Sequence, residues 1–125
     1  MSDMIKFDGL YEESLPFENG LYEVVCANVN SGESPKGVFV AVEMIIESDG
    51  PFEGRKITDI FMGGNSYARE RMAGLSQSVD LPVGQNSTFN KNDLIGQRFV
   101  IRLRVKEDRE GVMRTNVTKY YPAKK

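Results

Sequence analysis

Five stretches of the chain have the residue pattern of β-strands, and the alternation of apolar and polar residues is cleanest in the fourth of them. These stretches are residues 21–30, 38–47, 55–62, 98–106 and 112–121. Between the third and the fourth, apolar residues recur at helical spacing. They are Ala68, Met72, Leu75 and Val79, and they are preceded by Asn65 and Ser66, either of which can cap a helix. The pattern predicts three strands, one helix and two further strands.

The alternation also assigns residues to the two faces of each predicted strand. In the first strand, the apolar face consists of Leu21, Val25, Ala27 and Val29. In the second, one face consists of Val38, Val40, Val42, Met44 and Ile46, and Phe39 lies on the other. In the fourth, Phe99, Ile101, Leu103 and Val105 share one face, and the cations Arg98, Arg102, Arg104 and Lys106 share the opposite one.

Five strands with a helix between the third and the fourth match the order of the OB fold. This fold is a partly open five-stranded barrel whose second and third strands commonly bind oligonucleotides or oligosaccharides. We therefore predict a mainly β, OB-like barrel over residues 20–122. Residues 1–19 are acidic and are interpreted as an N-terminal arm with one candidate edge segment at residues 4–7. With 125 residues, the chain has the size of one domain.

The chain contains no histidine and a single cysteine, Cys26. Histidine is the commonest general base and metal ligand, and zinc sites need cysteine or histidine. We therefore expect a non-catalytic protein without a metal or other cofactor. A Mg²⁺-dependent nuclease that uses Asp59 with other carboxylates is the catalytic alternative. Because Cys26 has apolar neighbours, we expect it to be a small buried residue.

The sequence shows none of the segments that direct a protein into or across a membrane. No apolar run reaches the roughly 18 residues of a membrane span, and the N-terminal residues lack the charged-then-apolar pattern of an export signal. The single cysteine fits a reducing compartment. These features predict a cytoplasmic protein that does not enter a membrane.

The formal net charge is −2, but the charges are unevenly distributed. Residues 1–50 hold ten acidic and two basic residues, a balance of −8, whereas residues 51–125 hold eight acidic and fourteen basic residues, a balance of +6. A local cationic surface is therefore compatible with the acidic pI of about 5.2. The alternative interpretation is a solvent-exposed surface on which positive and negative side chains are mixed.

The charged face of the fourth predicted strand is the strongest candidate for a binding site. Its members, Arg98, Arg102, Arg104 and Lys106, repel one another unless anions are bound. If the fifth strand pairs antiparallel to it, Arg114, Asn116, Thr118 and Tyr120 share the same face. Cations for phosphates and aromatic rings for bases are what non-specific binding of single-stranded nucleic acid requires. The alternative is an exposed edge strand that charge protects from aggregation.

Further candidates lie at the ends of the second and third predicted strands. Phe39 is either exposed for stacking or part of the core, and both interpretations stay open. Lys36, Arg55 and Lys56 flank loops where a ligand can enter, although solvation alone explains any one of them. Phe61 shares a face with Ile57 and is expected in the core.

Short motifs follow one another along most of the chain. They are residues 20–24, 34–37 and 50–57 with Asp59, then Arg71 and Leu75 in the helix, residues 94–98, Asn116 with Val117, and Tyr121 with Pro122. In order and spacing they resemble a family of small phage and prophage proteins, classed as a domain of unknown function and associated with phage single-stranded-DNA-binding proteins. The resemblance covers about residues 20–122.

The resemblance implies an OB-like domain in a phage replication or recombination module, which coats single-stranded DNA in the cytoplasm of the host bacterium. Phage replication or recombination proteins would be further partners, and a homo-oligomer is compatible with this role. The better-known bacterial single-strand binders end in an acidic tail that recruits partners, whereas this sequence ends in a basic one. Its acidic N-terminal arm also suits the alternative function, a phage structural or adaptor protein that acts through protein–protein contacts.

Overall fold

The computed structural model describes residues 3–6, 8, 16–35, 37–84 and 88–123, and it confirms the predicted order of the elements. The strands are β1 (Gly20–Ser34), β2 (Gly37–Ile46), β3 (Lys56–Met62), β4 (Arg98–Glu107) and β5 (Met113–Pro122). The main helix, α1 (Ser66–Ser78), lies between β3 and β4, and a single helical turn, α2 (Lys91–Leu94), follows it. The protein is therefore mainly β with one main helix. Residues 3–6 lie outside any strand, and Phe7, which completes the candidate edge segment, is outside the described residues.

The five strands form one antiparallel sheet in the order β3-β2-β1-β4-β5. The 15-residue strand β1 is central. Its residues 20–25 pair with β4, and its residues 24–34 pair with β2. The expected barrel is not closed, because β3 and β5 are not paired with each other in the described part of the chain and remain the two edges. The sheet is nevertheless curled, since Asp59 on β3 and Tyr120 on β5 are hydrogen-bonded across the opening.

A β-bulge in β1 changes which residues face the core. The register with β2 shifts at Ala27, which is the extra residue. Such a shift moves the following side chains to the opposite face. Val24 and Cys26 are therefore buried before the bulge and Val29 is buried after it. The face predicted for β1 is wrong for Ala27 and for Leu21, which is 55% exposed.

The core lies between one face of the sheet and α1. Its largest fully buried side chains are Phe99, Met44, Ile46, Leu75, Leu94, Ile101 and Leu103. The predicted inner residues Phe99, Ile101 and Leu103 of β4 are thus confirmed, as is the burial of Phe61. Burying a side chain of the size of leucine stabilises a fold by about 1.5–3 kcal/mol, so β4 contributes much of the stability of the sheet.

Helix α1 begins and packs as its sequence predicts. The Oδ1 atom of Asn65 accepts a hydrogen bond from the N–H of Ala68 at 3.1 Å and caps the first turn. Ala68 and Leu75 are buried, and Met72 and Val79 pack partly buried against the core. Of the helices in the described ranges, α1 is the longest with thirteen residues, and none there is long and apolar enough to cross a membrane.

Cys26 lies in the core with 1% of its surface exposed, as the sequence predicts. Burial raises the pKa of its thiol from 9.0 to about 11. A thiol reacts through its thiolate, so a buried thiol with a raised pKa is inert near neutral pH. Cys26 therefore acts as a small apolar residue in this fold.

We expect the Cys26 thiol to stay unmodified by Ellman's reagent at pH 8 in the native protein and to react readily in urea. Because the folded pKa lies above the unfolded one, the neutral thiol contributes stability that is complete below pH 9 and is lost as the pH rises through about 11. Urea unfolding between pH 8 and 11 should therefore show a steeper loss of stability in the wild type than in Cys26→Ala. Parallel pH profiles, or equal labelling rates with and without urea, would contradict this expectation.

Candidate nucleic-acid interface

The hairpin of β4 and β5 extends beyond the rest of the sheet and carries the cations that the sequence singles out. β4 pairs with β1 only as far as Leu103. From Arg104 onward, β5 is its only partner strand among the described residues. The N–H of Val105 instead donates to Oδ1 of Asn19 at 2.6 Å. β4 is thus an inner strand at its start and an edge strand at its end. Arg104 and Lys106 lie in the edge part, so the alternative that their charge protects an exposed edge from aggregation still applies to them.

Arg104 and Lys106 are exposed cations on the β4 strand of this hairpin. The register places Arg104 opposite Asn116 and Lys106 opposite Arg114, so these four side chains share one face. Residues paired in this way have Cβ atoms about 4.5–5.5 Å apart, and like charges at that spacing repel. Arg114 is compensated, since its Nε atom lies 3.0 Å from Oδ2 of Asp108. The side chains of Arg104 and Lys106 have no hydrogen-bond or ion-pair partner within the described residues.

Asp108 is held in its charged form by the turn that joins β4 to β5. The N–H groups of Val112 and Glu110 both donate to its Oδ1 atom at 2.9 Å. The bond from the Val112 N–H and the bond from Arg114 lower the pKa of Asp108. The turn therefore fixes the position of Arg114 beside Lys106.

A second bulge, in β5, decides the orientation of Arg102 and Tyr120. The register of β5 with β4 shifts at Thr118. The hydroxyl of Thr118 accepts a hydrogen bond from Nε of Arg102 at 2.8 Å, which holds this guanidinium half-buried. Beyond the bulge Tyr120 lies opposite Ile101 and is 7% exposed. The prediction that Tyr120 shares the face of Arg114 is therefore wrong, and its buried ring is not exposed to stack on a base.

The two edge strands border an open cavity, which we call the edge cleft. Its volume is about 540 Å³, within the roughly 300–1,000 Å³ of typical small-ligand sites. It is lined by residues 57–60 of β3, Tyr67 and Arg71 of α1, Arg104 and Lys106 of β4, and residues 115–118 of β5. Tyr67 is 55% exposed. The two uncompensated cations and an exposed aromatic ring thus border the same cavity.

A polar cluster of Asp59, Arg71 and Tyr120, which we call the latch, borders the edge cleft and links its two sides. Nη1 of Arg71 and the hydroxyl of Tyr120 both donate to Oδ2 of Asp59. The latch therefore joins β3, α1 and β5, and the side chains of Asp59 and Arg71 are only 10% and 11% exposed. Burial raises the pKa of Asp59 more than the bonds from Tyr120 and Arg71 lower it. Burial, followed by the nearby Asp59 carboxylate, raises the pKa of Tyr120.

Arg71 has further contacts that fix its position. Its guanidinium carbon lies 4.6 Å from the ring centroid of Phe61 and 5.1 Å from that of Tyr67. Its Nε atom is buried and has no hydrogen-bond partner among the residues that the structure describes. The charge of Arg71 is therefore stabilised by Asp59, by these two rings and by a long hydrogen bond of 3.5 Å from its Nη2 atom to the carbonyl of Ile60.

Arg98 and Lys56, two other predicted site residues, are engaged in ion pairs and do not line the edge cleft. Nε of Arg98 lies 2.9 Å from Oε1 of Glu47, and Nζ of Lys56 lies 2.7 Å from Oε1 of Glu43. The hydrogen bond from Lys56 lowers the pKa of Glu43. These two cations are therefore compensated by their own neighbours.

Arg55, Phe39 and Lys36 complete the predicted set. The guanidinium carbon of Arg55 lies 4.0 Å above the ring centroid of Phe17, so it covers an aromatic ring. Phe39 is partly exposed, and its ring lies over Gly32 of β1, where a Cβ atom would be 3.0 Å from the ring. Lys36 lies outside the described residues. Arg55 and Phe39 therefore do not line the edge cleft that Arg104 and Lys106 border.

Sequence reasoning did not single out Tyr67 as a site residue. A signal was present, because Tyr67 and Arg71 are four residues apart in a predicted helix and residues at that spacing share a face. That face lies beside the buried face of the helix, which Ala68, Met72 and Leu75 form. Only the open gap between β3 and β5 shows that this face borders a cavity.

The part of the chain that the structure describes contains no group of three or more Cys, Asp or Glu residues arranged to hold a metal ion. Asp59, the residue of the catalytic alternative, is bonded within the latch. The chain matches no protein-family model, and no curated protein is significantly similar to it. The resemblance to the phage family thus remains a sequence-based hypothesis.

Proposed function

We propose that this protein is a non-catalytic single-stranded-DNA-binding protein of a phage replication or recombination module, with an OB-like fold. The observation that carries the proposal is the exposed pair Arg104 and Lys106, which has no side-chain partner in the described ranges and borders a cleft with an exposed tyrosine. Cations that follow the phosphates and rings that stack on bases are the two requirements of such binding.

The cations of the β4–β5 hairpin offer a continuous path for a phosphate backbone. Same-face residues two apart on a strand lie roughly 6.6 Å from each other, so Arg104 and Lys106 can contact different phosphates. Arg114 lies next to Lys106, and the bulge fixes Arg102 on the other side of Arg104. We therefore assign phosphate contacts to these four residues.

Three features support the OB-like part of the proposal. The helix lies between β3 and β4, β1 pairs with both β2 and β4, and β3 faces β5 across the latch. We interpret the sheet as a barrel of OB order that is open between β3 and β5. In OB folds the loops after β1 and β4 flank the ligand, and Arg104, Lys106 and Arg114 lie at the base of the second of these loops.

The cellular part of the proposal rests on the sequence. The resemblance to phage proteins suggests action in the cytoplasm of the host bacterium, with phage replication or recombination proteins as further partners. A single buried cysteine fits that reducing compartment. Self-association along DNA is compatible with the role.

Fluorescence anisotropy with labelled oligo-dT tests the proposal. We expect micromolar or tighter binding at low salt. With four phosphate contacts, the slope of log K against log salt should be about −3, which is a loss of about 50-fold between 50 and 200 mM salt. Absence of binding at 50 mM salt would overturn the proposal.

A second candidate function, a phage structural or adaptor protein, is favoured by one observation. A groove of about 870 Å³ beside α1 has several apolar residues in its lining. These include Met72, Ala73, Leu81, Val83 and Phe89. Exposed apolar surface of this kind marks protein–protein contacts. Stable oligomers in light scattering, together with no affinity for oligo-dT, would favour this candidate.

A further inference from the structure

Tyr67 has the geometry of a platform for a flat ligand. It is the second residue of α1 and is 55% exposed, although it is a large aromatic residue. The guanidinium of Arg71 lies 5.1 Å from its ring centroid, and Arg71 is itself fixed by Asp59 and Phe61. The ring therefore rests on a rigid support and presents more than half of its surface to solvent.

The rest of the edge cleft complements a nucleotide. Arg104 and Lys106 provide positive charge at its border, and the side chains of Thr115 and Asn116 are exposed beside them. An asparagine amide has both a donor and an acceptor, so it can bond to the edge of a base. Ile60, exposed on the β3 side, adds apolar surface for a sugar or base.

These features favour single-stranded over double-stranded nucleic acid as the ligand. A base in a duplex is already stacked and paired, and extracting it costs a few kcal/mol, whereas a base of a single strand is free to stack on a protein ring. The unpaired strand edges can also accept an extended peptide. However, strand pairing uses backbone groups, and it needs neither the exposed ring nor the two cations.

We propose that the edge cleft takes up one unstacked base of the bound strand on the ring of Tyr67, with the adjoining phosphates at Arg104 and Lys106. This inference rests on the proposed function and extends it, because it assigns the base contact to a residue of α1. The aromatic contribution then comes from Tyr67, since the ring of Tyr120 is buried.

The test compares labelled oligo-dT with an abasic deoxyribose-phosphate strand of equal length, in anisotropy titrations at fixed low salt. Tyr67→Ala should weaken binding of oligo-dT by about 5- to 150-fold, the range of one base–aromatic stack. It should leave binding of the abasic strand and the salt slope unchanged. Tyr67→Phe should bind like the wild type, because stacking needs the ring and not the hydroxyl. Phe39→Ala is the matched control at the other candidate ring.

Each outcome is decisive. If the wild type binds oligo-dT and Tyr67→Ala binds equally well, the inference is wrong and the proposed function stands. The same holds if Phe39→Ala, but not Tyr67→Ala, loses affinity. If the wild type binds neither strand but binds an acidic peptide, both the inference and the proposed function are overturned. Thermal unfolding of Tyr67→Ala should lie close to that of the wild type, since the ring is exposed and Arg71 keeps its contacts with Asp59 and Phe61.

Discussion

Replacing Asp59 with alanine is expected to lower the free energy of unfolding by about 3–5 kcal/mol, the range for removing one partner of a buried ion pair. The variant leaves the guanidinium of Arg71, which is 11% exposed, without its carboxylate. Within the described ranges the Nε atom of Arg71 already lacks a hydrogen-bond partner, and in the variant the hydroxyl of Tyr120 loses its acceptor. Urea unfolding followed by far-UV circular dichroism measures the change.

Two further variants separate the parts of the latch, and a third, at an exposed ion pair, is the control. Tyr120→Phe removes one hydrogen bond to a charged group and should cost about 1.5–3 kcal/mol. Asp59→Asn also removes the carboxylate charge beside Arg71, but its amide oxygen can still accept hydrogen bonds from Arg71 and Tyr120, so its loss should be smaller than that of Asp59→Ala. Glu43→Ala breaks the exposed pair with Lys56 and should have a small effect. If Asp59→Ala were no less stable than Glu43→Ala, the latch would not hold the edges of the sheet together.

The double variant Arg104→Ala/Lys106→Ala is expected to lose most of the affinity for single-stranded DNA. Each charge-assisted contact to a phosphate is worth about tenfold, so we expect a loss of about 100-fold at 50 mM salt. The salt slope should become less steep by about 1.4, because two phosphate contacts are removed. Both side chains are exposed, so the fold should be unaffected. Anisotropy titrations from 50 to 200 mM salt give both quantities.

The matched control is Lys56→Ala/Arg98→Ala, which also removes two positive charges. Those cations are paired with Glu43 and Glu47 and do not line the edge cleft. The control should therefore keep the salt slope and most of the affinity. Equal losses in the two double variants would show that general charge, rather than the β4–β5 hairpin, attracts DNA.

The order of the elements could be predicted because each carries a local signal. The β4 alternation, with Phe99, Ile101 and Leu103 against Arg102 and Arg104, needs no knowledge of the partner strands. The helical spacing of the apolar residues of α1 and the cap at Asn65 are also signals that lie within the element itself. These signals depend on residues within one turn or one strand, which is the scale at which a sequence pattern is informative.

The predictions that failed depend on contacts between distant segments. The bulges at Ala27 and Thr118 are each a single extra residue, and neither has a sequence mark such as glycine or proline. Each reverses the facing of the residues on one side of it relative to those on the other, so Leu21 does not share the face of Val29 and Tyr120 does not share the face of Arg114. The gap between β3 and β5 depends on the packing of α1, and no single strand encodes it.

β1 pairs with β4 over its first part and with β2 over the rest, so a change in one of the two flanking strand pairs need not affect the other. Of the described strands, β1 is the one that joins the β2–β3 pair to the β4–β5 pair, and its bulge lies where it ceases to pair with β4. Substitutions or insertions at the tip of the β4–β5 hairpin leave the pairing of β1 with β2 in place. The proposed binding surface can therefore change in length and charge without disturbing the pairing of β1 with β2.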